Sequence, residues 1–149
     1  MLDRISKEMS KASEAPEVLD VLGAPFFVLS DGAKLPFVVG EQHVPPGYGV
    51  PTHMHDADDE FFYILEGELT IVSPDGESKA GAGAWVGLPR NVAHGFHNAT
   101  NAPARMLVVL SPGVQALEMF RNFDQAGQSA RMAPEAIMEI ASQHGVSFG

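Results

Sequence analysis

His53, His55, Glu60 and His94 are the side chains of this 149-residue chain best suited to hold a metal ion. His53 and His55 are separated by one residue, so on a β-strand both imidazoles leave the same face, one pleat apart. Glu60 closes the acidic stretch Asp56-Ala57-Asp58-Asp59-Glu60, where a short loop enters the apolar run Phe61-Phe62-Tyr63-Ile64-Leu65. His94 comes much later, within Pro89-Arg90-Asn91-Val92-Ala93-His94. Three imidazoles and a carboxylate suit one divalent transition metal: Fe, Ni, Mn, Co, Cu or Zn. Ca or Mg would call for oxygen ligands throughout. Four protein ligands leave room on the ion for an outside molecule, and that room separates a reactive site from a closed structural one.

The elements that must position these residues read as strands. Val18–Leu22, Phe26–Leu29, Leu35–Val44, Phe61–Glu66, Leu69–Val72, Glu77–Ala80, Ala84–Leu88, Ala93–Asn98 and Arg105–Leu110 are short apolar runs. They are broken by turn-forming clusters such as Ser30-Asp31-Gly32, Pro45-Pro46-Gly47 and Pro74-Asp75-Gly76. Many short strands at near-regular spacing predict an all-β sandwich or barrel over residues 16–112. Before it, residues 1–15 carry Leu2, Ile5 and Met9 at near-helical spacing and read as a short helix or arm. After it, residues 113–149 read as a helical extension. Val114, Leu117, Phe120 and Phe123 repeat every third position with Met119 beside them. Pro134 is well placed to open a last helix ending near His144 and closed by Gly145, with Ala136, Ile137, Ile140 and Ala141 as its apolar stripe.

The segment from Gly47 to Gly67 resembles the first motif of the cupin superfamily, with Gly47 six residues before His53 and Gly67 seven after Glu60. The segment Gly83-Ala84-Trp85-Val86-Gly87-Leu88-Pro89 through Asn98 resembles the second. One position departs from the pattern: Asn91 stands where the family usually has glycine. Asparagine is the least costly replacement if that turn needs a positive φ. The resemblance implies a double-stranded β-helix, the jelly-roll barrel of cupins, with one metal held by His53, His55, Glu60 and His94. Within the family the chain is most similar to small single-domain proteins related to quercetin 2,3-dioxygenases, through Asp59–Leu69 and Ala141–Phe148. That likeness implies a metal-dependent dioxygenase acting on a small enolic or phenolic compound, with Glu60 doubling as the base that accepts the substrate proton. A metal-dependent isomerase or lyase, and a non-catalytic small-molecule-binding cupin, are the alternatives, because one fold hosts many chemistries.

Strand parity sorts the remaining candidates. Phe62 shares parity with Glu60, and Phe96 with His94, so both should line the substrate pocket. His43, on the strand before the first motif, is a third pocket candidate. His97 alternates away from His94, and Met54 away from its neighbouring histidines. His144 ends a helix, where a cation favourably meets the macrodipole. Asp56, Asp58 and Asp59 read as a solvated loop. From Leu35 to Ala104 the only basic residues are Lys79 and Arg90, both at or near turns, and Arg105 follows. A barrel gripping a phosphate or dicarboxylate would ordinarily carry an inward Arg or Lys, so a neutral or weakly acidic, partly aromatic ligand is expected.

Bulk composition bounds the rest. With 45% hydrophobic residues the chain reads as one soluble globular domain. A net charge of −10 argues against nucleic acid and against an anionic membrane surface. The absence of cysteine removes disulfides and thiolate ligands. The charged N-terminus lacks a signal-peptide core and no stretch has the length of a membrane span, so a cytoplasmic protein is expected. The cupin likeness and two apolar C-terminal helices point to a homodimer.

Overall fold

A computed structural model describes residues 16–149. The helix or arm expected over residues 1–15 lies outside the described residues. Ten strands come first: β1 Glu17–Val21, β2 Ala24–Asp31, β3 Val38–Val44, β4 Gly49–His55, β5 Asp59–Glu66, β6 Glu68–Ser73, β7 Gly76–Gly81, β8 Trp85–Leu88, β9 His94–His97 and β10 Ala104–Ser111. Two helices follow, α1 Val114–Gly127 and α2 Pro134–Ser142, and a last strand β11 Val146–Phe148 returns to the sandwich. One sheet has the order β1-β2-β3-β10-β5-β8, the other β11-β4-β9-β6-β7, with antiparallel neighbours throughout. The result is the expected jelly roll with two C-terminal helices.

Period-two alternation places the core between the sheets. On β10 Ala104, Met106, Val108 and Leu110 are buried, and on β5 Glu60, Phe62 and Ile64 are buried. Each fully buried side chain of the size of Phe62 or Ile64 contributes roughly 1.5–3 kcal/mol. Strand β3 starts at Val38 rather than Leu35, because residues 32–37 are bends. Its inward set is Val38, Gly40, Gln42 and Val44. Gly40 faces the ring of Phe26, which would lie 2.0 Å from any added Cβ, so this register admits no side chain there.

The C-terminal region departs from a purely helical extension. Helix α1 buries Ala116, Leu117, Met119 and Phe123, while Val114, expected in its apolar stripe, is exposed. Helix α2 opens on Pro134 as expected, but of its stripe only Ala141 is fully buried. His144 is tied into the fold at the end of α2. Its Nδ1–H donates to the Ile140 carbonyl (2.8 Å), and its Nε2 accepts from the Asn122 amide (3.2 Å), which joins the two helices. Gly145 then takes a φ of +75° and turns the chain into β11, paired with β4 from Val146↔His55 to Phe148↔His53. Among the described residues no helix is long and apolar enough to cross a membrane.

Candidate metal centre

The two histidines of β4 and the one that opens β9 meet because β4 carries a bulge. The β4–β9 register runs Gly49↔His97 and Val50↔Phe96, then skips to His53↔His94. One extra residue in β4 turns Val50 and His53 toward the same interior, although their spacing in a regular strand would oppose them. Gly95 makes the bulge possible. A Cβ there would lie 2.8 Å from the Val50 carbonyl oxygen and 3.1 Å from Thr52 N.

Around this bulge the nitrogens of His53, His55 and His94 lie within 4.8 Å of one another, and all three residues are buried. The carboxylate of Glu60, on the facing sheet, completes the group. Its Oε2 is 3.6 Å from His55 Nε2 and its Oε1 3.5 Å from His94 Nε2. A carbonyl only accepts, so the contacts of His53 Nδ1 to Pro51 O (2.9 Å) and His94 Nδ1 to Val92 O (3.0 Å) place the ring proton on Nδ1 in both. Their Nε2 lone pairs are thereby presented to the interior, as a metal-binding imidazole requires. Two buried atoms, His55 Nδ1 and His94 Nε2, have no hydrogen-bond partner. Buried imidazole nitrogens left without partners are costly. A cation between the imidazoles and Glu60 supplies the missing partner of His94 Nε2, so this donor set fits a divalent transition metal.

Electrostatics agree. Burial, reinforced by nearby His94, pushes His53 down to about 4, so it is neutral and ready to coordinate. Burial alone would raise Glu60, but contact with His94 and the nearby imidazoles of His55 and His53 hold its carboxyl below the usual range. Burial likewise works against a charged His94, and the adjacent Glu60 outweighs it, raising the imidazole above its ordinary value. Coordination needs the neutral imidazole, so a metal competes with a proton at His94. Metal uptake is expected to release protons and to weaken as pH falls. Equilibrium dialysis at about pH 8 and about pH 5 checks this, and unchanged occupancy at the lower value would contradict it.

The motif loops are fastened to this centre. Asn91 adopts the positive φ expected of it, +65°, and its N–H donates to the His55 carbonyl at 2.7 Å. Phe62 and Phe96 line the chamber, with ring centroids 5.5 Å apart in edge-to-face contact. His43 does not. It lies on the outer face of its sheet, against Phe27 and 3.1 Å from Glu41, and Gln42 takes the inward position. The signal was present, since Val38 and Val44 share the parity of Gln42. The acidic loop is also not uniformly solvated. Asp56 and Asp59 are exposed, and Asp59 pairs with Arg90 at 3.1 Å, but Asp58 is buried at 1% exposure. Arg105 is turned outward to Glu41 and Glu66, so among the described residues no Lys or Arg lines the chamber. Walls that sequence reasoning missed come from outside the motifs: Met119 and Phe123 of α1, and Val146 and Phe148 of β11.

A β-sandwich holding three imidazoles and a carboxylate in its interior defines a class of metal-site barrels. Residues 40–110 match the family model described as Cupin domain, and the chain resembles cupin-superfamily proteins in sequence and fold. It is 30% identical over 78 residues to quercetin 2,3-dioxygenase of Bacillus subtilis, covering 52% of this chain and 23% of that protein. It is 30% identical over 83 residues to the tetracenomycin polyketide synthase protein TcmJ of Streptomyces glaucescens, covering 56% and 55%. Thus the chain spans about half or less of the length of these curated relatives. Among solved structures, a sugar phosphate isomerase of the cupin superfamily from Silicibacter pomeroyi is similar at TM-score 0.56 and 32% identity, over 62% of this chain and 61% of that one. The polyketide cyclase RemF from Streptomyces resistomycificus is similar at TM-score 0.58 and 26% identity, over 70% and 80%.

Proposed function

We infer that this cupin is a metal-dependent dioxygenase acting on a small enolic or phenolic compound. The observation that carries the reading is a buried three-histidine, one-carboxylate group whose His53, His55 and Glu60 line a mostly apolar chamber, with no Lys or Arg on its walls among the described residues. Such walls favour an aromatic or conjugated ligand and give a phosphate nothing to pair with. The similarity to a quercetin 2,3-dioxygenase, a tetracenomycin polyketide synthase protein and a polyketide cyclase supports the same reading.

His53, His55, Glu60 and His94 would hold the ion, which supplies Lewis acidity and, if redox-active, electron transfer to dioxygen. Glu60 has two tasks. Its carboxylate is ionised, and it lies against both His55 and His94, so it can accept the hydroxyl proton as the substrate becomes an enolate. Phe62, Phe96 and Val108 exclude bulk water while that charge develops. Dioxygen is the oxidant, and both of its atoms end in the organic products as an enolic carbon–carbon bond breaks. Oxygen-electrode screening of protein reconstituted with single metals, against flavonols, catechols and β-diketones, is expected to show uptake tied to substrate loss. Metal-replete protein inert toward that panel would count against the reading.

The similarity to a sugar phosphate isomerase favours a second reading, proton transfer by Glu60 beside a Lewis-acidic ion without oxidation. It predicts undiminished turnover under nitrogen with zinc bound.

A further inference from the structure

The chamber around the histidines is small, about 60 Å³. One buried water needs on the order of 10–15 Å³, so the chamber has room for about four waters and none for an aromatic ring. Sites for organic ligands run to roughly 300–1,000 Å³. A ring compound whose oxygen reaches the imidazoles must therefore extend beyond the chamber, past one of its walls. Leu22, Tyr48, Val50 and Phe148 line both the chamber and a second cavity of about 480 Å³.

That second cavity is a groove between the start of β4 and helix α2, which contributes Pro134, Ile137 and Met138. Among the described residues no charged side chain lines it, and its one polar side chain, the Tyr48 phenol, is already engaged, donating to the Val21 carbonyl at 2.8 Å. A further cavity also reaches Leu22, but Asp20 and Arg131 stand on its walls, which suits an apolar ring less well. Leu22 itself is held at a φ of +56°. For a residue with a side chain this costs about 1–2 kcal/mol. The turn keeps its isobutyl group at the boundary between chamber and groove.

We propose that this groove is the outer half of the substrate site, and that it takes the apolar ring system of a multi-ring compound whose enolic or phenolic oxygen reaches the histidines. The proposal rests on the metal-site reading above and narrows its substrate class from single rings to fused or linked ones. Burial of a ring against Val50, Ile137, Met138 and Phe148 supplies affinity, and the histidine chamber reads only the oxygen-bearing end.

Two probes with one chelating head test it on zinc-loaded protein. Maltol is the hydroxypyranone head alone, and 3-hydroxyflavone adds a fused ring and a phenyl group to the same head. Calorimetric titration is expected to show the flavone binding at least about tenfold tighter than maltol. Met138→Glu, at a position 49% exposed, and Ile137→Ala should each weaken the flavone about tenfold and leave maltol within about twofold. Equal affinity of the two probes for the wild-type protein overturns the groove, as do variants that shift both probes together or neither. A change in sedimentation with Met138→Glu, without loss of the flavone's advantage, also overturns it and assigns the groove to a contact between copies. The two readings fail separately. Maltol binding that is the same with and without zinc sinks the metal site and this proposal with it, whereas zinc-dependent maltol binding with no gain for the flavone sinks the groove alone.

Discussion

The His53→Ala variant is expected to purify without stoichiometric metal and without activity while keeping its fold. His53 sits at the centre of the cluster, its ring 4.5 Å from His94 and 5.1 Å from His55. Its one hydrogen bond runs to Pro51, two residues back in its own strand, so its loss frees no distant element. The bulge that aims the site is held by the close approach of Gly95 and by pairing of His55 with Val146, both outside the substituted residue. The fold should therefore lose little. Wild-type protein gains about 2.7 kcal/mol from metal at about one hundred times its dissociation constant, a rise in Tm on the order of 5–10 °C. The variant should show no such rise. Elemental analysis and thermal unfolding with and without metal decide the point, and wild-type stoichiometry in His53→Ala would remove these histidines from the metal site.

How much of this was legible depended on whether a residue's role is local. The shared face of His53 and His55 follows from strand alternation, and the positive φ of Asn91 follows from what a tight turn demands, so both were readable from a few neighbouring residues. The inward direction of Phe62 and Phe96 followed from parity with Glu60 and His94. At β3 the apolar run from Leu35 suggests a longer strand, while Val38 and Val44 share the parity of Gln42 and so put His43 on the other face. The β4 bulge was not readable by period, because a bulge is the local failure of that period. Gly95, set between two inward side chains, was the available hint. Strand β11 has three residues, too few for a pattern, and is defined by its pairing with the metal-bearing strand. Met119 and Phe123 read correctly as an apolar helix face, but which cavity they close depends on how α1 lies across the barrel mouth, a tertiary fact.

Asp58 is the clearest case of a long-range role, and Asp58→Ala is expected to destabilise the protein by about 3 kcal/mol. Helix α1 begins after Gly113, whose φ of +86° suits glycine, and glycine offers no side chain to cap the helix. The cap arrives from 55 residues away. Asp58 Oδ1 accepts from Gly113 N at 2.7 Å and Oδ2 from Ala116 N at 3.3 Å, inside the protein. A carboxylate at a helix N-terminus also meets the positive end of the helix dipole, and away from water both effects are strengthened. Alanine would leave two donors unpaired in a buried place. The lowered stability corresponds to a fall in Tm of roughly 6–12 °C for a domain of this size. Asn at the same position keeps one acceptor oxygen and should fall between the two. Asp58 lies between His55 and Glu60 in sequence, so slackening this loop should also weaken metal binding about tenfold, as loss of a group that orients metal ligands does elsewhere. Thermal unfolding of metal-free protein and a metal titration measure the two effects separately. An Asp58→Ala protein that unfolds with the wild type would mean that the buried carboxylate does not fasten α1 to the metal-bearing loop.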